Sequence, residues 1–188
     1  MNEGLNVRDG LPDALRVLLN DYPRELWEIH PNFSQLILFW LDRHQMFRRL
    51  IGKLSEETEN ALSQNVDPRV FNARLSKYAG FFVRELHGHH TIEDQHYFPL
   101  LKQLETGLES GFDILDRDHH SIDAQLDTFI VKANQVIQFE GSATNWRDEV
   151  GPFSSQLKLA SHNLNRHLVD EEELVVPILL KHQPESLA

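Results

Sequence analysis

His89-His90-Thr91-Ile92-Glu93, with Pro99 six residues past the glutamate, and His167-Leu168-Val169-Asp170-Glu171, with Pro177 at the same distance, are two copies of one pattern. On a helix, residues four apart lie on one face, one turn above another. Each copy therefore presents an imidazole nitrogen and a carboxylate to the same point in space, which is half of a metal site. Two half-sites facing each other in a bundle can hold two metals, with the carboxylates bridging.

Around both copies the apolar residues recur at helical spacing. A first helix over 32–65 carries the stripe Ile37, Leu41, His44, Phe47, Ile51 and Leu54. A second begins at Asp67-Pro68, an N-cap acid followed by proline at the first helical position. It runs to about residue 103 and turns Phe82, Leu86, His89, Glu93, Tyr97 and Leu100 inward. A third, over 109–139, carries Phe112, Leu115, His119, Ile122, Leu126 and Phe129. A fourth, over 145–181, carries Leu164, His167, Glu171, Leu174 and Ile178, and Gly151-Pro152 predicts a break or kink near its start. Pro99 and Pro177 each remove one backbone hydrogen bond and predict a bend.

No alternation at period two is found, so no strand is expected. Four helices with short connections predict an all-α fold, an antiparallel up-down-up-down four-helix bundle over residues 32–183. Residues 1–31, broken by Gly10, Pro12, Pro23 and Pro31, read as an N-terminal extension that caps the bundle, with a brief helix over 13–20. Residues 184–188 read as a tail.

The two halves of the chain echo each other. Leu41-Asp42-Arg43-His44 resembles Leu115-Asp116-Arg117-Asp118-His119, so each half offers a lone histidine on one helix and a His-x-x-x-Glu on the next. A polar residue in an apolar stripe is costly without a partner. Six fall there: His44, His89, Glu93, His119, His167 and Glu171. Two carboxylates buried together without cations are strongly unfavourable, and two divalent metals would neutralise them. A single His-x-x-x-Glu is most often a solvated surface pair; the duplication and the two further in-stripe histidines favour a metal site over a metal-free polar network.

The remaining candidates are plainer. His90 reads as a neighbour off the stripe, and His30, His87 and His182 as surface residues. His96, His120 and His162, with His90, are the candidates for a fifth histidine ligand. Glu172 and Glu173 read as a solvated acidic edge, with Glu172 able to replace Glu171 if the helix rotates.

The chain has 188 residues, 40% of them hydrophobic, a formal net charge of -11, 11 histidines and no cysteine. That is enough for one domain with a core. The negative charge argues against nucleic acid and anionic membrane surfaces as partners. Lack of cysteine removes disulfides, thiolate metal sites and iron–sulfur ligation, and fits a cytoplasmic location. Met1-Asn2-Glu3-Gly4-Leu5-Asn6 shows no basic start and no apolar run, so no signal peptide is expected, and no apolar run is long enough to span a bilayer.

At these residues the sequence resembles the hemerythrin-like family, specifically the bacterial HHE cation-binding domains, over about residues 32–181. The order His44, His89-x-x-x-Glu93, His119, His167-x-x-x-Glu171 is similar to the family's ligand order on four successive helices. The resemblance implies a non-haem diiron centre: two Fe ions bridged by Glu93 and Glu171 and by an oxo or hydroxo group, with Mn or Zn as possible substitutes. It also implies an open iron position for dioxygen, nitric oxide or azide. Respiratory members carry a His-x-x-x-His on the third helix, where this chain has Asp123 four residues past His119. They carry a His-x-x-x-x-Asp on the fourth, where this chain offers Glu171 and Glu172.

The expected function is that of a metal-binding protein that binds or senses dioxygen, nitric oxide or iron, with Phe47, Phe82, Leu86, Ile122 and Leu164 as apolar lining. The alternatives are a diiron oxidoreductase, either a ferroxidase or a peroxide-consuming enzyme, for which Trp40 and Tyr97 would carry electrons although they read more simply as core or boundary aromatics, and a metal-dependent hydrolase using His120 and Asp123. A binding protein is favoured over an enzyme, and the oligomeric state stays open.

Overall fold

The computed structural model describes residues 4–64 and 66–184. The expected end of the first helix at Asn65, the leader reading at Met1–Glu3 and most of the expected tail lie outside these residues. Among the described residues the chain is all-helical and has no strand. Its four long helices are α1 (Gln35–Ser63), α2 (Pro68–Ile92) continued by a π turn (Glu93–Tyr97) and α3 (Phe98–Leu104), α4 (Glu109–Ile137), and α5 (Ala143–His182). No helix among the described residues is long and apolar enough to cross a membrane.

Local chemistry fixes most boundaries. The Ser34 hydroxyl accepts the Ile37 amide at 3.3 Å, so α1 starts at Gln35, three residues later than the periodicity suggested. Asp67 accepts the Arg69 amide at 2.8 Å ahead of Pro68, as its sequence predicts. Ser142 accepts the Asn145 amide at 3.3 Å and starts α5 two residues early. The Asn72 amide donates to the carbonyls of Val136 and Ile137, which have no acceptor role left in α4, and the helix ends there. The brief helix expected over 13–20 is two 3₁₀ turns, Asp13–Leu15 and Val17–Asn20, and a third turn covers Arg24–Leu26.

One expectation about proline is corrected, that of a break at Gly151-Pro152. α5 runs unbroken through Gly151, Pro152 and Pro177. Val150 and Phe153 on either side of Pro152 are fully buried, and packing overrides the local preference. At Pro99 the consequence is larger than a bend. The backbone closes a π turn, with the Phe98 amide on the Glu93 carbonyl, five residues back. The turn absorbs one extra residue, so the inward stripe after Glu93 is Phe98 and Leu101, not Tyr97 and Leu100. In α1 the stripe holds except that Trp40, not Leu41, is the buried residue.

The chain divides into two compact units. One comprises residues 1–45, 89–120 and 165–188. Its core includes Trp27, Ile37, Phe98, Phe112 and Leu115, with a nearly unbroken run from Leu174 to Leu180. The other comprises residues 46–88 and 121–164. Phe47, Phe82, Phe129 and Phe153 form a ladder of ring contacts there, with centroids 5.4–6.4 Å apart. The five residues expected to line a gas pocket are all buried and all belong to this second unit.

Candidate metal centre

All six expected site residues fall in the first unit, and the structure brings them together. His44, Glu93, His119, His167 and Glu171 are buried to within about one percent, and the His89 side chain is 9% exposed. The imidazoles meet in pairs: His44 Nε2 is 3.1 Å from His89 Nε2, and His119 Nε2 is 3.1 Å from His167 Nε2. Each carboxylate reaches one member of each pair. Glu93 lies 3.0 Å from His89 Nε2 through Oε1 and 3.6 Å from His119 Nε2 through Oε2. Glu171 Oε2 lies 3.5 Å from both His44 Nε2 and His167 Nε2.

These contacts are poor as hydrogen bonds. Neither Glu93 oxygen, nor Glu171 Oε2, has a hydrogen-bond donor among the described residues, although each is buried. A buried carboxylate oxygen without a donor is expensive. Burial, and then the neighbouring Glu171 charge, push the Glu93 carboxyl well above its ordinary range. Burial likewise holds His89 and His167 well below the usual imidazole value, with His44 the next cause for His89 and His119 for His167. The metal-free centre is therefore driven towards neutral ligands. Lone pairs on nitrogen and oxygen converge here, three of the four carboxylate oxygens meet no donor, and that donor set fits divalent metal ions.

Surrounding carboxylates orient the outer ring nitrogens. Asp94 Oδ1 is 2.8 Å from His119 Nδ1, and Glu172 Oε1 is 3.0 Å from His44 Nδ1. Such pairs fix the tautomer and leave Nε2 to a metal. Asp94 and Glu172 each follow the motif glutamate by one position, so the two copies repeat this outer contact as well as the inner one. Trp40 donates its indole N–H to Glu171 Oε1 at 2.7 Å and lies 3.0 Å from His44 Nε2; Tyr97 packs on its ring at 4.8 Å.

The expectation of a solvated acidic edge is overturned. Glu172 is buried, at 2% exposure, and spans His44 and Arg24; half-buried Glu173 pairs with Arg16. Glu172 faces the outer nitrogen of His44, whereas Glu171 faces the inner one.

His90 was expected off the stripe, yet it is buried at 2%. It shares a cluster with His119 and His167. Its ring stacks on His119 with centroids 4.0 Å apart and planes 9° apart, and Phe98 stacks on His119 at 5.4 Å and 20°. An imidazole binds metal in its own plane, and two parallel rings a van der Waals thickness apart share no such point. In this geometry His90 packs the His119 ring and does not join it on one ion. His96, His120 and His162 are exposed, and His120 bonds the Asp116 carbonyl. His87 is exposed as expected, whereas His30 and His182 are half-buried, the latter 2.9 Å from Glu105.

Sequence reasoning missed Asp94, the orienting role of Glu172, and Trp40 as a donor to Glu171. The available signal was the acid at the same place after each motif glutamate. Among known proteins, the family model for the hemerythrin HHE cation binding domain matches residues 35–179. No curated protein and no solved structure matches the chain.

Proposed function

The chain belongs to the hemerythrin HHE cation-binding family, and from that premise we propose that it holds two iron ions and binds or senses dioxygen or nitric oxide, or responds to iron itself. The supporting observation is the pairing of contacts: His44 with His89, His119 with His167, and each carboxylate touching one histidine of each pair. One ion would be held by His44 and His89, the other by His119 and His167, and Glu93 and Glu171 would be shared. Manganese or zinc satisfies the same donors. We also infer the up-down-up-down course of the four helices, which the short connections between them favour.

When bound, the metals would supply redox chemistry and affinity for a diatomic ligand. The chain's own residues supply the rest. Asp94 and Glu172 hold His119 and His44 with Nε2 inward. Trp40 fixes one oxygen of Glu171 by donating to it and leaves the other free of donors. Phe98 and His90 stack on His119, whose ring is buried. No arginine or lysine contacts Glu93 or Glu171 among the described ion pairs, so the bridging carboxylates are left for metal.

One observation favours oxidoreductase activity as a second reading. Tyr97 is half-buried against Trp40, which itself touches Glu171 and His44, and this forms an aromatic path away from the centre.

Loading the metal-free protein with iron(II) under argon, then adding nitric oxide or dioxygen while recording optical spectra, tests the proposal. Two irons per chain and a new visible or near-ultraviolet band on gas addition are expected. Iron uptake without any spectral response to either gas would leave an iron-binding protein and remove the gas. Reversal of the change under argon separates a carrier or sensor from an oxidase.

A further inference from the structure

The N-terminal segment, residues 4–31, has little regular structure of its own, only three short 3₁₀ turns. Leu5, Leu11, Leu15 and Trp27 bury apolar surface, but its charged contacts are more telling. Three of its arginines, Arg8, Arg16 and Arg24, end on four carboxylates that flank the centre: Asp118, Asp170, Glu172 and Glu173.

Two of those carboxylates stand directly behind centre histidines. Arg24 donates to Glu172 Oε2 at 2.7 Å, and the other oxygen of Glu172 is on His44 Nδ1 at 3.0 Å. Arg8 donates to both oxygens of Asp118, and Asp118 Oδ2 faces His167 Nδ1 at 3.6 Å, too long for a hydrogen bond. Arg8 also reaches Asp170 Oδ2 at 2.7 and 2.9 Å, and Asp170 Oδ1 accepts the Leu11 amide at 3.2 Å. Arg8 is itself 7% exposed, so this is a buried charge network. Arg166 completes it, on Asp170 at 2.6 Å and on the Asp9 carbonyl at 2.6 Å.

We propose that residues 4–31 form a metal-linked latch in which Arg8 and Arg24 are positioning residues, one behind each histidine pair, so that the segment holds the metals in and the metals hold the segment down. The inference rests on the two-metal reading above. A cation on Nε2 would polarise the His44 imidazole and make its Nδ1–H a better donor to Glu172, while at His167 the Asp118 carboxylate, 3.6 Å away, would act through its charge. An arginine beyond each carboxylate fixes it in place. Charges alternate along the line, metal, carboxylate, guanidinium, so the two cations support one another through the group between them. Coupling of this kind is reciprocal: whatever the segment adds to metal affinity, metal adds to the docking of the segment. A segment held by short turns, with no α-helix or strand of its own, is where local opening is easiest to detect.

The test uses the whole chain, metal-free and loaded with iron(II) under argon. Backbone hydrogen exchange over residues 4–31, including the Leu11 amide, is expected to slow about tenfold on loading, the lower end of what removing outer-shell partners costs in metal affinity. Arg24→Gln is the variant of choice, because its side chain is 44% exposed and glutamine can still donate to Glu172; helix content by circular dichroism checks that the variant folds. It should release iron to a chelator about tenfold faster, and Arg24→Lys should recover part of the difference. Two irons bound with unchanged exchange over 4–31, or iron release from Arg24→Gln at the wild-type rate, would overturn the latch and leave the centre standing. Failure of the chain to take up iron at all would overturn both.

Discussion

The two motif copies are alike in sequence and differ in surroundings. In the first, Ile92 is 50% exposed and Gln95 and His96 face solvent. In the second, the equivalent positions are Asp170, fully buried, Glu173, half-buried, and Leu174, 1% exposed. An apolar residue is outside in one copy where a carboxylate is inside in the other. The first copy leaves its α-helix for a π turn, whereas the second continues regularly through its proline. Spacing alone thus delivers the inner His and Glu in both, and the rest depends on what covers the outer face. For α5 that cover includes the arginines of residues 4–31, which turn buried acids from a liability into ion pairs.

The largest expected effect is at Glu93, which contacts one histidine of each pair. Glu93→Ala should take the chain from two bound metals to at most one, read by elemental analysis, with helix content by circular dichroism unchanged. Two metals retained would remove Glu93 from the bridge.

Next comes the contrast between Asp170 and Ile92. Asp170→Ala leaves Arg8 with Asp118 alone and takes the acceptor from the Leu11 amide and from Arg166, and should cost about 1–3 kcal/mol in denaturant unfolding. Ile92→Ala, at the matching place in the first copy, should stay within about 0.5 kcal/mol. Equal losses would mean that the two outer faces are not different environments.

Asp94→Ala and Glu172→Ala sharpen the comparison from the opposite side, since both acids orient a histidine. Each should weaken metal binding about 10- to 100-fold in chelator competition. Glu172 should lie at the upper end, because it is buried and Asp94 has a 31% exposed side chain.

Acidity gives the smallest and most graded effect. In the proposed centre, metal binding requires Glu93 to lose a proton that burial and Glu171 encourage it to keep. Below that raised value, affinity should climb about tenfold per pH unit. For the metal-free protein, His89 and His167 lie below their ordinary 6.5, so the unfolded chain takes up those protons first. Their stabilisation is present above pH 6.5 and lost as pH falls. Glu93, raised above 4.5, acts in the opposite sense, favouring the folded state at low pH and losing that as pH rises. Two histidines against one glutamate predict a net fall in melting temperature on acidification below 6.5, and a rise would show that Glu93 dominates.

Much of this was legible in sequence for a physical reason. Helical periodicity places His44, His89, Glu93, His119, His167 and Glu171 on inward faces, and the structure puts them there. The Asp67-Pro68 start is local chemistry and reads directly. What did not read is whatever depends on distant contacts. The π turn looks like ordinary helix until the register of Phe98 and Leu101 is seen against that of Tyr97 and Leu100. Asp118, Asp170 and Glu172 look like surface acids, because their partners Arg8 and Arg24 lie more than 100 positions away in the chain. His90 looks off-stripe by periodicity and is buried because it stacks on His119 from another helix.

The most direct measurement is an anaerobic titration of the metal-free chain with iron(II), counting tightly bound ions per chain for wild type and for Glu93→Ala and Glu171→Ala. Two ions in the wild type, and a loss of at least one in each variant, are predicted. No tight binding in the wild type, or two ions in both variants, would contradict a centre built on shared Glu93 and Glu171.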